Sequence, residues 1–212
     1  MAATLVFDLD GTLVDTLPDL TAALNSTLGS HGLPALDADV ALRSVHGGLE
    51  SMVQAAVADP ALRARVLAAF EQAYVARCAD ASRPYPGVVA ALERCARQDI
   101  ALGVCTNKGE ALARKVLDHL GLLAFFGAVI GADTCSRRKP DAEPLLAAIE
   151  RAGGERASAV LVGDSLIDVQ CARAAGVPCW LYAPGYGRLA PPLPDVARVL
   201  YDYAELGGSY LP

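Results

Sequence analysis

Unbroken apolar runs punctuate the chain, and they predict strands at about Thr4 to Phe7, Ile100 to Cys105, Ala128 to Ile130, Ala159 to Val162 and Pro178 to Leu181. Runs without polar alternation suit strands covered on both faces, as in a parallel sheet. Between them, apolar residues recur at helical spacing over Val88 to Arg97, Gly109 to His119, Glu143 to Ala152 and Leu166 to Ala175. Strands alternating with helices predict an α/β fold with a doubly wound parallel sheet. From Pro18 to about Ala79 the pattern is helical throughout, with Leu20, Leu24 and Leu28, then Leu62, Val66 and Ala69, and it contains no strand run. That stretch reads as a helical insert at residues 16–81, with the α/β core made of 1–15 and 82–212.

The strand ends carry the chemistry. In Leu5-Val6-Phe7-Asp8-Leu9-Asp10-Gly11-Thr12 two carboxylates follow a strand one residue apart, so they leave the same side of the chain. Like charges so close repel unless a cation compensates, and Mg2+ prefers carboxylate and phosphate oxygens. Asp8 is then a possible nucleophile toward phosphorus, with a second carboxyl to protonate the leaving oxygen and later deprotonate water. A turn or helix cap is the structural alternative.

Thr106-Asn107-Lys108 ends the second strand ahead of a helix, a combination that suits a phosphate group as well as an ordinary N-cap. Lys139 precedes Pro140, which would aim its charge, although a solvated lysine is the commoner case. Gly163-Asp164-Ser165-Leu166-Ile167-Asp168 delivers two further acids, a helical turn apart. In an open parallel sheet, ligands bind beyond the carboxyl ends of the strands. All four sets would meet there as a phosphate-and-metal site.

These stretches, with Asp8-Leu9-Asp10-Gly11-Thr12-Leu13-Val14-Asp15-Thr16 and Tyr85-Pro86-Gly87-Val88, resemble the haloacid dehalogenase superfamily phosphatases, and among them the phosphoglycolate phosphatases. The resemblance implies Asp8 as nucleophile, Asp10 as general acid and base, and Thr106 and Lys139 on the phosphoryl group. It implies Mg2+ held by the Asp8 and Asp164 side chains and the Asp10 carbonyl, with Asp168 in support, and Thr12, Asn107 and Lys108 binding substrate. The insert would be a cap shielding the site, hinged near Thr16 to Pro18 and Ala81 to Pro84. Its segment Arg43-Ser44-Val45-His46-Gly47-Gly48 resembles the loop by which such caps reach the site, with Arg43 on a substrate carboxylate.

The expected activity is Mg2+-dependent hydrolysis of a small phosphomonoester, 2-phosphoglycolate first, through an aspartyl-phosphate. Another sugar phosphate, a nucleotide or a sugar phosphate mutase reaction are alternatives, and a receiver-like phospho-accepting domain is the non-enzymatic one. Relatives often continue after Lys139-Pro140 with a polar residue and two prolines. This chain has Asp141-Ala142-Glu143-Pro144, read as decoration of a first helical turn. The tail, with Pro184-Gly185-Tyr186-Gly187 and Pro191-Pro192-Leu193-Pro194-Asp195 before Arg198-Val199-Leu200, is read as completing the sheet edge without a catalytic part.

Composition narrows the classes. A chain of 212 residues, 53% hydrophobic, can bury one core plus an insert. Its net charge of −6, without a basic stripe, argues against a nucleic-acid partner. Arg137-Arg138-Lys139, the densest basic run, is assigned to phosphate handling. The cysteines at 78, 95, 105, 135, 171 and 179 form no CxxC pair, and Met1-Ala2-Ala3 runs directly into the first strand. Reduced thiols, a cytoplasmic location, no membrane partner and a monomer or homodimer are expected. His31, His46 and His119 have no zinc-ligand spacing and are expected in surface or capping roles.

Overall fold

The computed structural model describes residues 3–187, 189, 193 and 195–206. The chain opens with β1 (Thr4–Phe7) and β2 (Val14–Asp15), then α1 (Leu17–Ser30), α2 (Ala38–Ser44), α3 (Gly48–Ala56) and α4 (Pro60–Arg77). It continues with β3 (Arg83–Pro84), α5 (Val88–Arg97), β4 (Ala101–Cys105), α6 (Glu110–His119) and β5 (Ala128–Ile130). α7 (Glu143–Arg151), β6 (Ala159–Gly163), α8 (Leu166–Ala175), β7 (Cys179–Tyr182) and β8 (Arg198–Leu200) complete it.

Among the described residues, six strands form a parallel sheet in the order β5-β4-β1-β6-β7-β8. β1 lies centrally, with Phe7 opposite Val104 of β4 on one side and Val162 of β6 on the other. Strand alternation divides the core. Val6, Cys105, Ile130 and Leu161 face α7 and α8, whereas Leu5, Phe7, Leu102 and Val162 face α5, α6 and the insert. Both faces are covered, which is why the strands read as continuous apolar runs. β8 forms the far edge, as the tail pattern predicted. Pro191, Pro192 and Pro194 of that tail lie outside the described residues.

The insert consists of helices, as its periodicity required. Leu20, Leu24 and Leu28 of α1 are buried in the region where α1 meets α4, which buries Val66, Phe70 and Tyr74. Asp59 caps α4 through its carboxylate on Ala61 N–H (2.9 Å), followed by Pro60 in the first turn. The chain enters and leaves the insert through β2 and β3, an antiparallel pair joining Val14 to Pro84 and Asp15 to Arg83. This pairing was not expected: two residues per strand are too few to leave a periodic signal. None of the helices among the described residues is long and apolar enough to cross a membrane.

Asp19, buried in the first turn of α1, fastens the return crossing. Its carboxylate accepts from Ala81 N–H (2.9 and 3.0 Å), Ser82 N–H (2.7 Å) and Ser82 Oγ (2.6 Å). Asp19→Ala would leave these donors without an acceptor, so unfolding in urea should show a loss of about 2–4 kcal/mol.

Candidate active site

β1 brings Asp8 to the carboxyl end of the sheet. Its N–H donates to the Val162 carbonyl (2.9 Å), just as Thr106 N–H donates to Ile130 beyond β4, so the ladders hold both residues in place. Asp164 follows Gly163, the last residue of β6. The expected strand-end residues therefore do share one crevice, at the central strand where the sheet order reverses.

Lys139 is the hub of the site. Its Nζ lies 3.0 Å from Asp8 Oδ1 and 2.6 Å from Asp168 Oδ1, with a side chain only 2% exposed. The peptide to Pro140 is cis. Asp168 is fully buried, and its other oxygen accepts from Ser165 N–H (3.0 Å) and Oγ (2.6 Å), closing a capping box at the start of α8. Asp168 thus caps its helix and positions Lys139 at the same time. Of the basic run, only Lys139 reaches the carboxylate cluster; Arg137 pairs with Asp141 (3.2 Å) and Arg138 with Glu50 of α3 (3.3 Å). Asp141 also accepts from Glu143 N–H, and Glu143 holds Ser136 and Arg137, so both extra acids brace this loop instead of facing the phosphate position.

Asp164 is likewise buried. Oδ1 accepts from Thr12 Oγ1 (3.0 Å), and Oδ2 from Tyr186 N–H (2.7 Å) and Gly187 N–H (3.2 Å). Thr12 therefore holds Asp164, and its donor is spent there and not on a substrate. Gly11, at φ 84°, passes so near that a Cβ would lie 2.5 Å from Asp164 Oδ2.

One oxygen from each of Asp8, Asp164 and Asp168 lies within 4.8 Å of the others. Burial raises the Asp8 carboxyl to about 6 although Lys139 opposes the shift. Burial, then the charges of Asp168 and Asp8, push Asp164 well above the usual carboxylate range. For Asp168 burial acts upward, but the Lys139 ammonium and the Ser165 hydrogen bonds together hold the carboxyl low. Fully ionised, the three buried carboxylates would exceed the one ammonium by two negative charges, and a hard divalent cation matches that donor set in charge and chemistry.

Asp10 points away from this cluster. Both its oxygens lie 2.8 Å from Lys108 Nζ, and Oδ1 accepts from Thr16 Oγ1 (2.5 Å). The Lys108 ammonium, nearly inaccessible, also sits 5.0 Å from the ring centre of Tyr74 in α4. In this arrangement the Lys108 ammonium is committed to Asp10. Asn107 spends its amide donors on the carbonyls of Lys139 (3.2 Å) and His46 (3.4 Å), tying core to insert.

The structure does not bring Arg43 to the site. α2 buries Ala41 and Ser44, which puts position 43 on its outer, exposed side. Nor is His46 a surface or capping residue: the turn after α2 carries its Nε2 to 4.0 Å from Asp164, with the ring tilted against Tyr186 and the buried Nε2 without a hydrogen-bond partner among the described residues. Tyr186 departs from the expected sheet-edge role in the same way. The segment Arg43 to Gly48 was expected to reach the site, and it does so through His46 and not Arg43; Tyr186 had no local signal, because its loop is placed by contacts distant in sequence.

A cavity of about 320 Å³ adjoins Asp10, Asn107 and Lys108. Its roof is Val45, Gly47, Leu49 and Met52 of the insert, and Arg138 stands in its wall.

The sequence model of the haloacid dehalogenase-like hydrolases matches residues 5–181. A phosphoglycolate phosphatase of Rhodospirillum rubrum is 41% identical over 98% of this chain and 90% of its own. One from Caulobacter vibrioides is 42% identical over 87% of this chain and 80% of its own. A solved structure, described as a predicted phosphoglycolate phosphatase from Haemophilus somnus, superposes with a TM-score of 0.88 at 27% identity and covers 96% of this chain and 95% of that one.

The raised Asp8 carboxyl has a measurable consequence. Its proton is held more tightly in the folded state, so its stabilising contribution is complete below about pH 4 and is lost as pH rises through about 6. A rise from 3.8 to about 6, at about 1.4 kcal/mol per unit, corresponds to ~3 kcal/mol. Urea unfolding without metal should show the protein losing about that much relative to Asp8→Asn between pH 4 and pH 7, and excess Mg2+ should reverse the loss.

Proposed function

We propose that this chain, which belongs to the haloacid dehalogenase-like hydrolases, is a Mg2+-dependent phosphatase that hydrolyses 2-phosphoglycolate by way of a phosphoryl group carried on Asp8. The observation that carries the reading is the convergence of Asp8, Asp164, Asp168 and Lys139 in one buried cluster, with Thr106 at the adjoining strand end. The names of the relatives at 41% and 42% identity support the substrate.

In this reading the Asp8 carboxylate attacks phosphorus and the alcohol leaves. The ester oxygen takes a proton from Asp10, which lines the cavity where a leaving group fits. Lys139 orients Asp8 and, with Thr106, meets the charge on the phosphoryl oxygens. Asp10 then takes a proton from the water that releases phosphate and restores Asp8. Mg2+ would be held by Asp8, Asp164 and the Asp10 carbonyl, and when bound it neutralises the carboxylate cluster and the substrate oxygens. Asp168 acts through Lys139, whose ammonium it holds at 2.6 Å.

Residues 16–81 serve as the cap and 1–15 with 82–212 as the catalytic core. With Arg43 outside, Arg138 is the cation for the glycolate carboxylate. Its exposed pair with Glu50 is worth about 0–1 kcal/mol and yields readily to a substrate. The insert and the family membership set aside the receiver-like alternative.

Phosphate release from a panel of esters tests this. Activity should require Mg2+, favour 2-phosphoglycolate and vanish in Asp8→Asn. Asp10→Asn should lower kcat/KM about 10²–10⁴-fold for alkyl esters, and much less for p-nitrophenyl phosphate, whose leaving group needs no proton. Arg138→Ala should raise KM for 2-phosphoglycolate about tenfold or more and leave glycerol phosphate unchanged. A preference for an ester without a carboxylate would discard the substrate and keep the mechanism.

A further inference from the structure

Tyr186 touches three parts of the protein that must cooperate. Its backbone N–H donates to Asp164 Oδ2 (2.7 Å). Its hydroxyl accepts from the N–H groups of Thr16 (2.7 Å) and Leu17 (2.9 Å) and donates to Asp15 Oδ1 (2.5 Å). Its ring centre lies 6.2 Å from that of His46 in the insert. The hydroxyl is therefore saturated, with two donors received and one proton given.

The need for it follows from Thr16. As the N-cap of α1, Thr16 makes no cap bond, because its hydroxyl is committed to Asp10. A cap side chain serves the second and third helical N–H groups, so the amides of Thr16 itself and Leu17 need another acceptor, and Tyr186 supplies it from 170 and 169 residues away. The helix start that carries the insert is thus fastened to the residue whose backbone binds Asp164.

We propose that Tyr186 is a positioning residue that couples cation binding at Asp164 to the first crossing between core and insert, and so sets how firmly the insert closes over the site. The inference rests on the reading of Asp164 as a cation ligand. Fixing the Asp164 carboxylate fixes residues 186 and 187, and with them the hydroxyl that holds Asp15, Thr16 and Leu17. Tyr186→Phe removes the hydroxyl while keeping the ring and the backbone bond to Asp164.

Hydrogen exchange of the whole protein, with and without Mg2+, reads this coupling without substrate, and calorimetry establishes separately that Mg2+ binds. In the wild type, Mg2+ should slow exchange at Thr16 and Leu17. In Tyr186→Phe these amides should exchange about tenfold faster, and Mg2+ should no longer slow them, while β1 and β6 stay protected. KM for 2-phosphoglycolate should rise more than kcat falls. If Mg2+ binds but leaves the wild-type crossing unchanged, or slows both proteins alike, the coupling is overturned. If calorimetry detects no Mg2+ binding, the cation reading of Asp164 falls, and the coupling with it.

Discussion

The pair of contacts from Lys139 to Asp8 and Asp168 is the constraint around which the rest is arranged. An ammonium and two carboxylates out of water are costly, and only close pairing with further hydrogen bonds offsets that cost. The fold supplies each partner from a rigid place: Asp8 from the central strand, Asp168 from a capped helix start, and Lys139 from a loop braced by Asp141 and Glu143. Asp164 completes the cluster with a third carboxyl, which burial and then the charges of Asp168 and Asp8 push well above the usual carboxylate range. A site in that state is prepared for added positive charge and for a phosphoryl group.

Around this cluster, shared side chains tie the insert to the core. Asp10 engages Thr16 at the first crossing and Lys108, which meets Tyr74 of α4. Asn107 holds the His46 turn, and Asp19 holds the second crossing. The residues nearest the proposed chemistry are thus also those joining core to insert, so placement of the insert and orientation of Asp10 are parts of one network.

Much of this was legible in the chain. Strands buried on both faces leave unbroken apolar runs, and the acids beyond them can be placed together because a parallel sheet gathers its strand ends on one side. Asp8, Thr106, Lys139, Asp164 and Asp168 fall where that logic puts them. The period of two that set Asp10 beside Asp8 did not bring Asp10 into the cluster. What was not legible depends on contacts distant in sequence. Thr12 looked free for substrate because its partner lies 152 residues on, and Tyr186 looked like a turn because its partners lie 169 to 171 residues back. Arg43 carries the right charge on the wrong side of a helix, while His46, three residues on in the loop expected to reach the site, is the side chain that approaches Asp164.

The most direct test is to quench the enzyme with acid during turnover of 2-phosphoglycolate and to map phosphorylated peptides by mass spectrometry. The account predicts a phosphoryl group on Asp8, formed only with Mg2+ and absent from Asp8→Asn. Turnover with a phosphoryl group on another residue, or rapid turnover that never labels Asp8, would contradict it.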